Sequence, residues 1–461
     1  MNRNTTAAKE KIGLLEKLGF GAFAMSIDAS TNFISTFLLF FLTDVWGITP
    51  GLAGTVLLIG TIWDGVNDPI IGYFSTNRRF KNNEVARPYA KWFALPTAML
   101  FVLLFTAFDL PQHVKFLYAV AVYLLYDLFG TFLRIPAGSM ATLATDNARE
   151  RISLNVFVSG GSSVGVILAT LGCWPLINAL SGVGENGKLI NPQSGFFWGA
   201  VVAAVILLAG PLMHYLTTKE RIQPEPGHDQ KVSAVGALKM LFGCPEWVEN
   251  TLYMLFYNFS IIFITSSIVY YATHVLKDPG AVTPIMAAYI LATMAALPFV
   301  GPLHRKLGRK KTMILSAVIL ILSKAYFIFA PASMAAAISN GLLVGVGVAF
   351  SINAINTSRA EIADIIEWRR GKRMENMISA ISTTVSKLGL AICTFAIGMV
   401  LEWSGYSNEL AVQPQSAVHA LEAFMGVVPL IAAVCMLIVA CRARIEDTVR
   451  QMEKEKGKER S

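Results

Sequence analysis

Apolar runs long enough to cross a bilayer as a helix recur along the whole chain, and they constrain its fold more than any other feature. The chain is 54% hydrophobic and 15% charged, whereas a soluble protein of 461 residues would carry nearer a quarter charged residues. The sequence therefore predicts an all-α membrane protein. The predicted spans are twelve: about 18–44, 50–76, 92–109, 114–144, 152–180, 195–216, 248–275, 284–303, 312–330, 335–360, 377–402 and 419–441.

Basic residues are concentrated in every second loop. Of the 38 Lys and Arg, 32 lie on the same side of the membrane as the N-terminus, in the termini, the loops or the span ends beside them. Three lie in or beside the opposite loops, and three lie deep within spans. Loops rich in Lys and Arg stay in the cytoplasm, so we expect both termini to be cytoplasmic. The start of the chain, residues 1–17, is polar and has no signal-peptide pattern. The five cysteines are scattered and predict neither disulfides nor a zinc site.

The longest predicted cytoplasmic connection, residues 217–247, contains Pro224, Pro226 and Gly227 and divides the spans into six and six. We expect a six-helix half at 1–216, a second at 248–441 and a basic cytoplasmic tail at 442–461. Two six-helix halves around a cavity are the layout of the major facilitator fold. The loop GPLHRKLGRK at 301–310 resembles the glycine- and arginine-containing loop of that superfamily, although a basic loop that binds anionic headgroups would also explain it.

Two carboxylates stand inside the second apolar run. Asp64 and Asp68 are four residues apart, and Asn67 shares their helix face. Each carboxylate costs about 2.5–3.5 kcal/mol at the centre of a membrane helix, and the two repel each other. A proton, a basic side chain or a small hard cation must compensate them, and carboxylate and amide oxygens suit such a cation. The alternative is a carboxylate pair near the helix end that is hydrated by headgroup water.

The fourth span carries Asp127, Thr131 and Arg134 on one helical stripe. Thr131 could add a hydroxyl oxygen to the site of Asp64 and Asp68, although an intramembrane Thr often bonds its own backbone. Arg134 offers a planar fork for a carboxylate, sulfonate or phosphate. A structural salt bridge from Arg134 to Asp28 or Asp127 explains it equally well.

Asp28, Lys324 and Lys387 complete the seven ionisable residues that lie well inside the spans, away from their ends. Four acids against three bases suggest pairing around one polar cavity. Lys387 could neutralise the aspartate pair when no cation is bound, which would make it a coupling residue. Lys324 has no clear role and is expected to snorkel or to pair between helices.

Three strings resemble the glycoside–pentoside–hexuronide:cation symporters of the major facilitator superfamily. They are FFLTDVWG at 40–47, IWDGVNDP at 62–69 and RER at 149–151, and the similarity runs from span 1 to span 11. The resemblance implies a site for Na⁺, Li⁺ or H⁺. The residues at its positions are Asp64, Asn67, Asp68 and Thr131. It also implies that Asp28 binds the substrate and that Lys387 couples the two sites.

The sugar-binding half departs from the family. Arg134 stands where members carry a sugar-binding Asp, and Gly138 stands where they carry a stacking Trp. Ile27 replaces a Lys, Ile355 lies near the position of another Trp, and Thr76 lies near the place of a loop acid. The cation half is thus retained, and the sugar half is rewritten. We expect Asp28, Arg134 and Asp127 to bind the substrate.

These observations predict a secondary active transporter that imports a sugar or glycoside, an acidic one included, together with a cation by alternating access. A carrier of a non-sugar or lipid-like solute is the alternative. No catalytic motif is present, so neither an enzyme nor a cofactor is expected, and the two-halves layout argues against a channel. We expect a monomer in the bacterial inner membrane, in contact with lipids and not with nucleic acid.

Overall fold

The protein is described here from a computed structural model, which covers residues 11–78, 80, 84–145, 147–182, 189–222, 240–370, 375–408, 410 and 412–459. Nearly all of these residues are helical. The first part of the chain contains α1 Leu14–Phe40, α2 Pro50–Asn77, α3 Arg87–Leu104, α4 Gln112–Ala144, α5 Ala148–Ile167, α6 Cys173–Ser181 and α7 Pro192–Thr217. The second part contains α8 Pro245–Tyr270, α9 Val282–Leu307, α10 Arg309–Phe329, α11 Met334–Arg370, α12 Glu375–Trp403, α13 Gln415–Met425, α14 Val427–Arg442 and α15 Ile445–Glu459.

These helices match the twelve predicted spans, with α5 and α6 forming one span and α13 and α14 another. By length and composition alone, ten helical stretches among the described residues could cross a membrane. The other two predicted spans are α2, which contains Asp64 and Asp68, and α3, which is 18 residues long. The helices group into two compact units, α1–α7 and α8–α15. Of the predicted central connection, residues 223–239 lie outside the described residues.

The first unit is held together by close contact between α1 and α5. A Cβ atom on Gly161 would overlap the carbonyl oxygen of Gly21, and one on Gly165 would overlap that of Met25. The two backbones can therefore approach only because these positions lack side chains, as small residues allow in membrane helices. An aromatic cluster fills the other end of the unit, where Phe37 stacks on the fully buried Trp174 with ring centroids 5.7 Å apart.

The second unit also contains a glycine that allows two helices to pack closely. On α11, a Cβ atom on Gly345 would overlap the carbonyl oxygen of Tyr289 on α9. The first helix of each unit also continues into a π-helical turn, Phe41–Val45 after α1 and Tyr271–Val275 after α8. Between α9 and α10 the chain turns at Gly308, whose φ of 80° lies in the left-handed region that glycine adopts at little cost. Gly308 is the second glycine of the string predicted as a loop at 301–310, whose other residues are helical.

Two helical segments extend beyond the predicted spans. The prediction ended span 10 near residue 360, but α11 continues to Arg370 because Ile362, Ile365 and Ile366 bury one face against Trp247. The predicted basic tail contains α15, which was not expected to be helical. It packs on the second unit through Ile445, which is buried in the same cluster.

A carboxylate network fixes the start of α15. Glu246, at the start of α8, accepts two bonds from Arg369, one from Nη1 at 3.0 Å and one from Nη2 at 2.8 Å. It also accepts a bond from Thr448 Oγ1 at 2.7 Å. Because Glu246 is buried, this charge-assisted network ties α8, α11 and α15 into one packed end of the unit.

Candidate cation and substrate site

The candidate site lies between α2 and α4, and the packing of these helices sets its register. Gly60 lies against the ring of Tyr123, which would overlap any Cβ atom there. Further along, Thr131 bonds Asp68, and Gly72 lies against Ile135. In each of these three pairs, the two residues are 63 positions apart in the sequence. The two helices therefore run parallel, and side chains spaced four apart on one meet side chains spaced four apart on the other.

Arg134 lies at the centre of this site. Its Nη2 donates to Asp64 Oδ1 and to Asp127 Oδ1, both at 3.1 Å, and to Thr131 Oγ1 at 3.2 Å. One nitrogen thus serves three acceptors. Among the described residues, Arg134 Nε and Nη1 have no hydrogen-bond partner, and the side chain keeps 34% of its surface exposed. Half of the guanidinium fork is therefore available to another ligand.

Asn67 joins the two helices by a second contact. Its Nδ2 donates to Asp127 Oδ2 at 2.5 Å, which fixes the orientation of the amide because a carbonyl oxygen there would face a carboxylate. Asn67 is only 2% exposed, and its Oδ1 is buried with no hydrogen-bond partner among the described residues. A buried amide oxygen without a donor is costly, and a cation is one group that would satisfy it.

Thr131 and Asp68 complete the oxygen set. Thr131 is fully buried, and its Oγ1 donates to Asp68 Oδ1 at 3.3 Å. Asp64 and Asp127 are each 8% exposed, whereas Asp68 is half-buried. Three carboxylates face a single guanidinium, so the cluster carries a formal charge of −2 when all three are ionised. Because the surroundings have a low dielectric constant, this excess of negative charge favours the binding of a cation or a proton.

The residues predicted for the site are thus partly brought together. Asp64, Asn67, Asp68 and Thr131 are neighbours, and Arg134 lies among them. Asp127 was predicted to bind substrate but lies within the same cluster, bonded to Asn67 and Arg134.

The structure also distinguishes the two salt bridges considered for Arg134. It forms the pair with Asp127 and, in addition, one with Asp64. No ion pair joins Arg134 to Asp28 among the described residues, so the predicted pairing with Asp28 is not formed; Asp28 is half-buried on α1.

The predicted coupling residue, Lys387, belongs to the second unit, where it is half-buried on α12.

Sequence reasoning missed one polar group at this site. The indole Nε1 of Trp63 is buried and has no hydrogen-bond partner among the described residues. Trp63 immediately precedes Asp64 in the IWDGVNDP string, which was the available signal.

Known proteins resemble this chain along most of its length. Residues 19–447 match the family model described as "MFS/sugar transport protein". The chain is 26% identical to the inner membrane symporter YicJ of Escherichia coli, with 94% of this chain and 92% of YicJ covered. It is 25% identical to the isoprimeverose transporter of Lactiplantibacillus pentosus, covering 92% and 87%.

Another relative is named for a solute that is not a sugar. The chain is 26% identical to a protein of Escherichia coli named as a putative 2,3-dihydroxypropane-1-sulfonate exporter, covering 92% of this chain and 90% of that protein.

The fold is also found among solved structures. The bacterial homolog of the human lysosomal transporter Spinster, in an inward-facing and unoccupied conformation, superposes with a TM-score of 0.69. It is 14% identical and covers 95% of this chain and 98% of that chain, so the likeness concerns the fold alone. Since the family model covers nearly the whole sequence, the chain belongs to the MFS/sugar transport protein family, and within it to the glycoside–pentoside–hexuronide:cation symporters.

Proposed function

We propose that this protein is a cation-coupled symporter of a sugar or glycoside that works by alternating access in the bacterial inner membrane, with both termini cytoplasmic. The observation that carries the proposal is the oxygen cluster of Asp64, Asn67, Asp68 and Thr131, with its unbonded amide oxygen and its excess of negative charge. YicJ, which is named as a symporter, and the relative named as a transporter of isoprimeverose support the same conclusion. The coupling cation is Na⁺, Li⁺ or H⁺, and no further cofactor is needed.

Arg134 provides the link between cation and substrate. Without a cation, its Nη2 is paired with both Asp64 and Asp127 and compensates one of their two charges. A cation bound among Asp64, Asp68 and Asn67 would compensate these carboxylates instead and would weaken their hold on the guanidinium. Arg134 would then be free to turn its fork to the substrate, while Asp28 on α1 supplies a carboxylate for hydroxyl groups. Because coupling is reciprocal, substrate held by Arg134 must tighten the binding of the cation.

A second candidate function is transport of a small organic anion that is not a sugar. The unbonded Nε and Nη1 of Arg134 favour it, since a guanidinium binds carboxylates and sulfonates strongly and directionally. A relative named for a hydroxylated sulfonate agrees, and its name as an exporter leaves the direction of transport open. A lipid-like solute would need an apolar pocket at this site, whereas the site is charged.

The proposal is tested by accumulation in proteoliposomes under a gradient of Na⁺, Li⁺ or H⁺. Neutral glycosides, uronic acids and sulfonates are offered in turn, with and without the cation. Asp64→Asn and Asp68→Asn should each abolish accumulation above the external concentration, because the cation then loses a carboxylate ligand.

Asp109→Asn is the matched control, since it removes an exposed carboxylate from a loop and should transport like the wild type. Full cation-driven accumulation by both site variants would contradict the proposed cation site. Saturable uptake that no cation gradient drives would contradict symport itself.

A further inference from the structure

A cavity of about 810 Å³ lies away from the candidate site, where α2 ends and α3 begins. Its lining includes Arg78 after the end of α2, and Tyr89, Lys91 and Trp92 on α3. Its volume falls in the range of small-molecule sites, roughly 300–1,000 Å³. We refer to it as the α2–α3 cavity. All of its lining residues belong to the first unit.

The α2–α3 cavity carries a net positive charge. Arg78 and Lys91 are both exposed, and neither forms an ion pair with a described residue. Glu84 is the one acid among the described residues of the lining, but Arg87 Nη1 donates to its Oε1 at 2.5 Å and neutralises it. Two uncompensated positive charges therefore face one cavity, which favours an anionic ligand.

A buried hydroxyl also lacks a partner there. Tyr89 is 2% exposed, and its hydroxyl group makes no hydrogen bond to any described residue. Its ring is held by Phe80 and Phe132, with centroids at 5.2 and 5.9 Å. A buried polar atom without a partner calls for an unseen donor or acceptor. An anionic oxygen in the cavity would accept a hydrogen bond from this hydroxyl.

The wall of the cavity is aromatic and continues onto the outer surface of the helices. Phe74 and Trp92 line it and are 42% and 63% exposed, and Tyr73 beside them is 77% exposed. Arg78 Cζ lies 5.4 Å from the Phe74 ring, and Lys91 Nζ lies 5.7 Å from the Trp92 ring. Aromatic side chains mixed with bases at the ends of membrane helices are typical of the membrane–water interface.

We propose that the α2–α3 cavity binds an anionic phospholipid. Arg78, Lys91 and the Tyr89 hydroxyl hold the phosphate-bearing headgroup, and the acyl chains lie along Phe74 and Trp92. A free phosphate ion would use the same basic groups but would leave most of the volume and the exposed aromatic wall without contacts. The cavity shares no residue with the cation cluster, so this inference does not depend on the proposed function.

The test measures lipid retention by the purified full-length protein. The protein is extracted from nanodiscs that hold equal amounts of phosphatidylglycerol and phosphatidylcholine, and native mass spectrometry counts the bound lipids. The wild type should retain phosphatidylglycerol preferentially. Arg78→Gln combined with Lys91→Gln should lower that preference about tenfold or more, because each base near the membrane surface contributes measurably to anionic lipid binding. Tyr89→Phe should lower it less.

Arg442→Gln combined with Lys454→Gln is the matched control. It removes two exposed bases from α14 and α15 of the second unit and should leave the preference unchanged. Equal retention by the cavity variant and the wild type would overturn the proposal, as would equal losses in both double variants. Release of phosphatidylglycerol by millimolar inorganic phosphate would assign the cavity to a free anion instead.

A second measurement does not depend on folding of the double variant. Brominated phosphatidylglycerol should quench the fluorescence of wild-type protein more than brominated phosphatidylcholine does, and Trp92→Phe should remove the difference. The same quenching by both lipids in the wild type would refute a headgroup-selective site.

Discussion

Arg134 is the residue on which the candidate site depends. Its one bonded nitrogen compensates Asp64 and Asp127, so Arg134→Gln leaves two buried carboxylates without their ion pair. We expect the free energy of unfolding to fall by about 1–3 kcal/mol and the Tm to fall with it. Adding Asp127→Asn should recover part of the loss. Thermal unfolding of the purified protein measures both effects.

The exposed pair of Arg450 with Glu446 provides the control, because Arg450→Gln should change stability by less than about 1 kcal/mol.

The variant Arg134→Gln also distinguishes an anionic from a neutral substrate. If Arg134 binds an anionic group, Arg134→Gln should weaken acidic sugars about ten- to a hundredfold and neutral analogues much less. An equal loss for both would assign Arg134 a structural role alone.

Lys324 is a charge that the proposed function does not use. It is fully buried, and its Nζ donates to Asn340 Oδ1 at 3.0 Å and to the carbonyl oxygen of Met425 at 3.2 Å. No carboxylate pairs with it among the described residues. Replacing a buried charge by an apolar side chain of similar length is often neutral or stabilising. Lys324→Met should therefore keep or raise the Tm.

Lys324→Ala provides the comparison, because it removes the same charge but leaves a cavity that costs about 2–5 kcal/mol in buried positions. A Tm for Lys324→Met as low as that of Lys324→Ala would show that the ammonium itself holds α10, α11 and α13 together. Transport by both variants should follow their stability.

At the scale of helices, the contact between α1 and α5 provides a sharp test. Gly161→Ala should destabilise the first unit by several kcal/mol or reduce its yield, because the added methyl overlaps the backbone of α1. Gly160→Ala changes the adjacent position in the same way, but nothing lies within 4 Å of the new Cβ atom. It should be neutral. Similar Tm values for the two variants would contradict the close approach of α1 and α5.

The helices and their polar stripes could be predicted from the sequence, whereas the way two stripes meet could not. The periodicity of Asp64, Asn67 and Asp68, and that of Asp127, Thr131 and Arg134, depends only on local helix geometry. Their mutual register is set by the contact of Gly60 with Tyr123, which is a matter of packing shape. For this reason the sequence assigned Asp127 and Arg134 to the substrate, while the structure surrounds Arg134 with the residues of the candidate cation site.

The helix α15 could not be predicted either, because it also depends on contacts between distant parts of the chain. The sequence identified the charged tail by composition, but the helix α15 depends on burial of Ile445 and on the bond from Thr448 to Glu246, residues far apart in the chain. The twelve spans could be predicted because each is set by the length of its apolar run.

For the whole molecule, the orientation in the membrane stays a prediction that rests on the 32-to-3 division of Lys and Arg between the two sets of loops. Single cysteines at Thr49, Gln112 and Trp403 should react with impermeant reagents from outside the cell, in a background without the five native cysteines. These residues are exposed at or beside the ends of α2, α4 and α12, whereas Gly51, the second residue of α2, is buried. A cysteine at the exposed Lys311 should react only after the membrane is opened. The opposite pattern would invert the orientation, and a mixed pattern among the three outer sites would contradict the count of twelve spans.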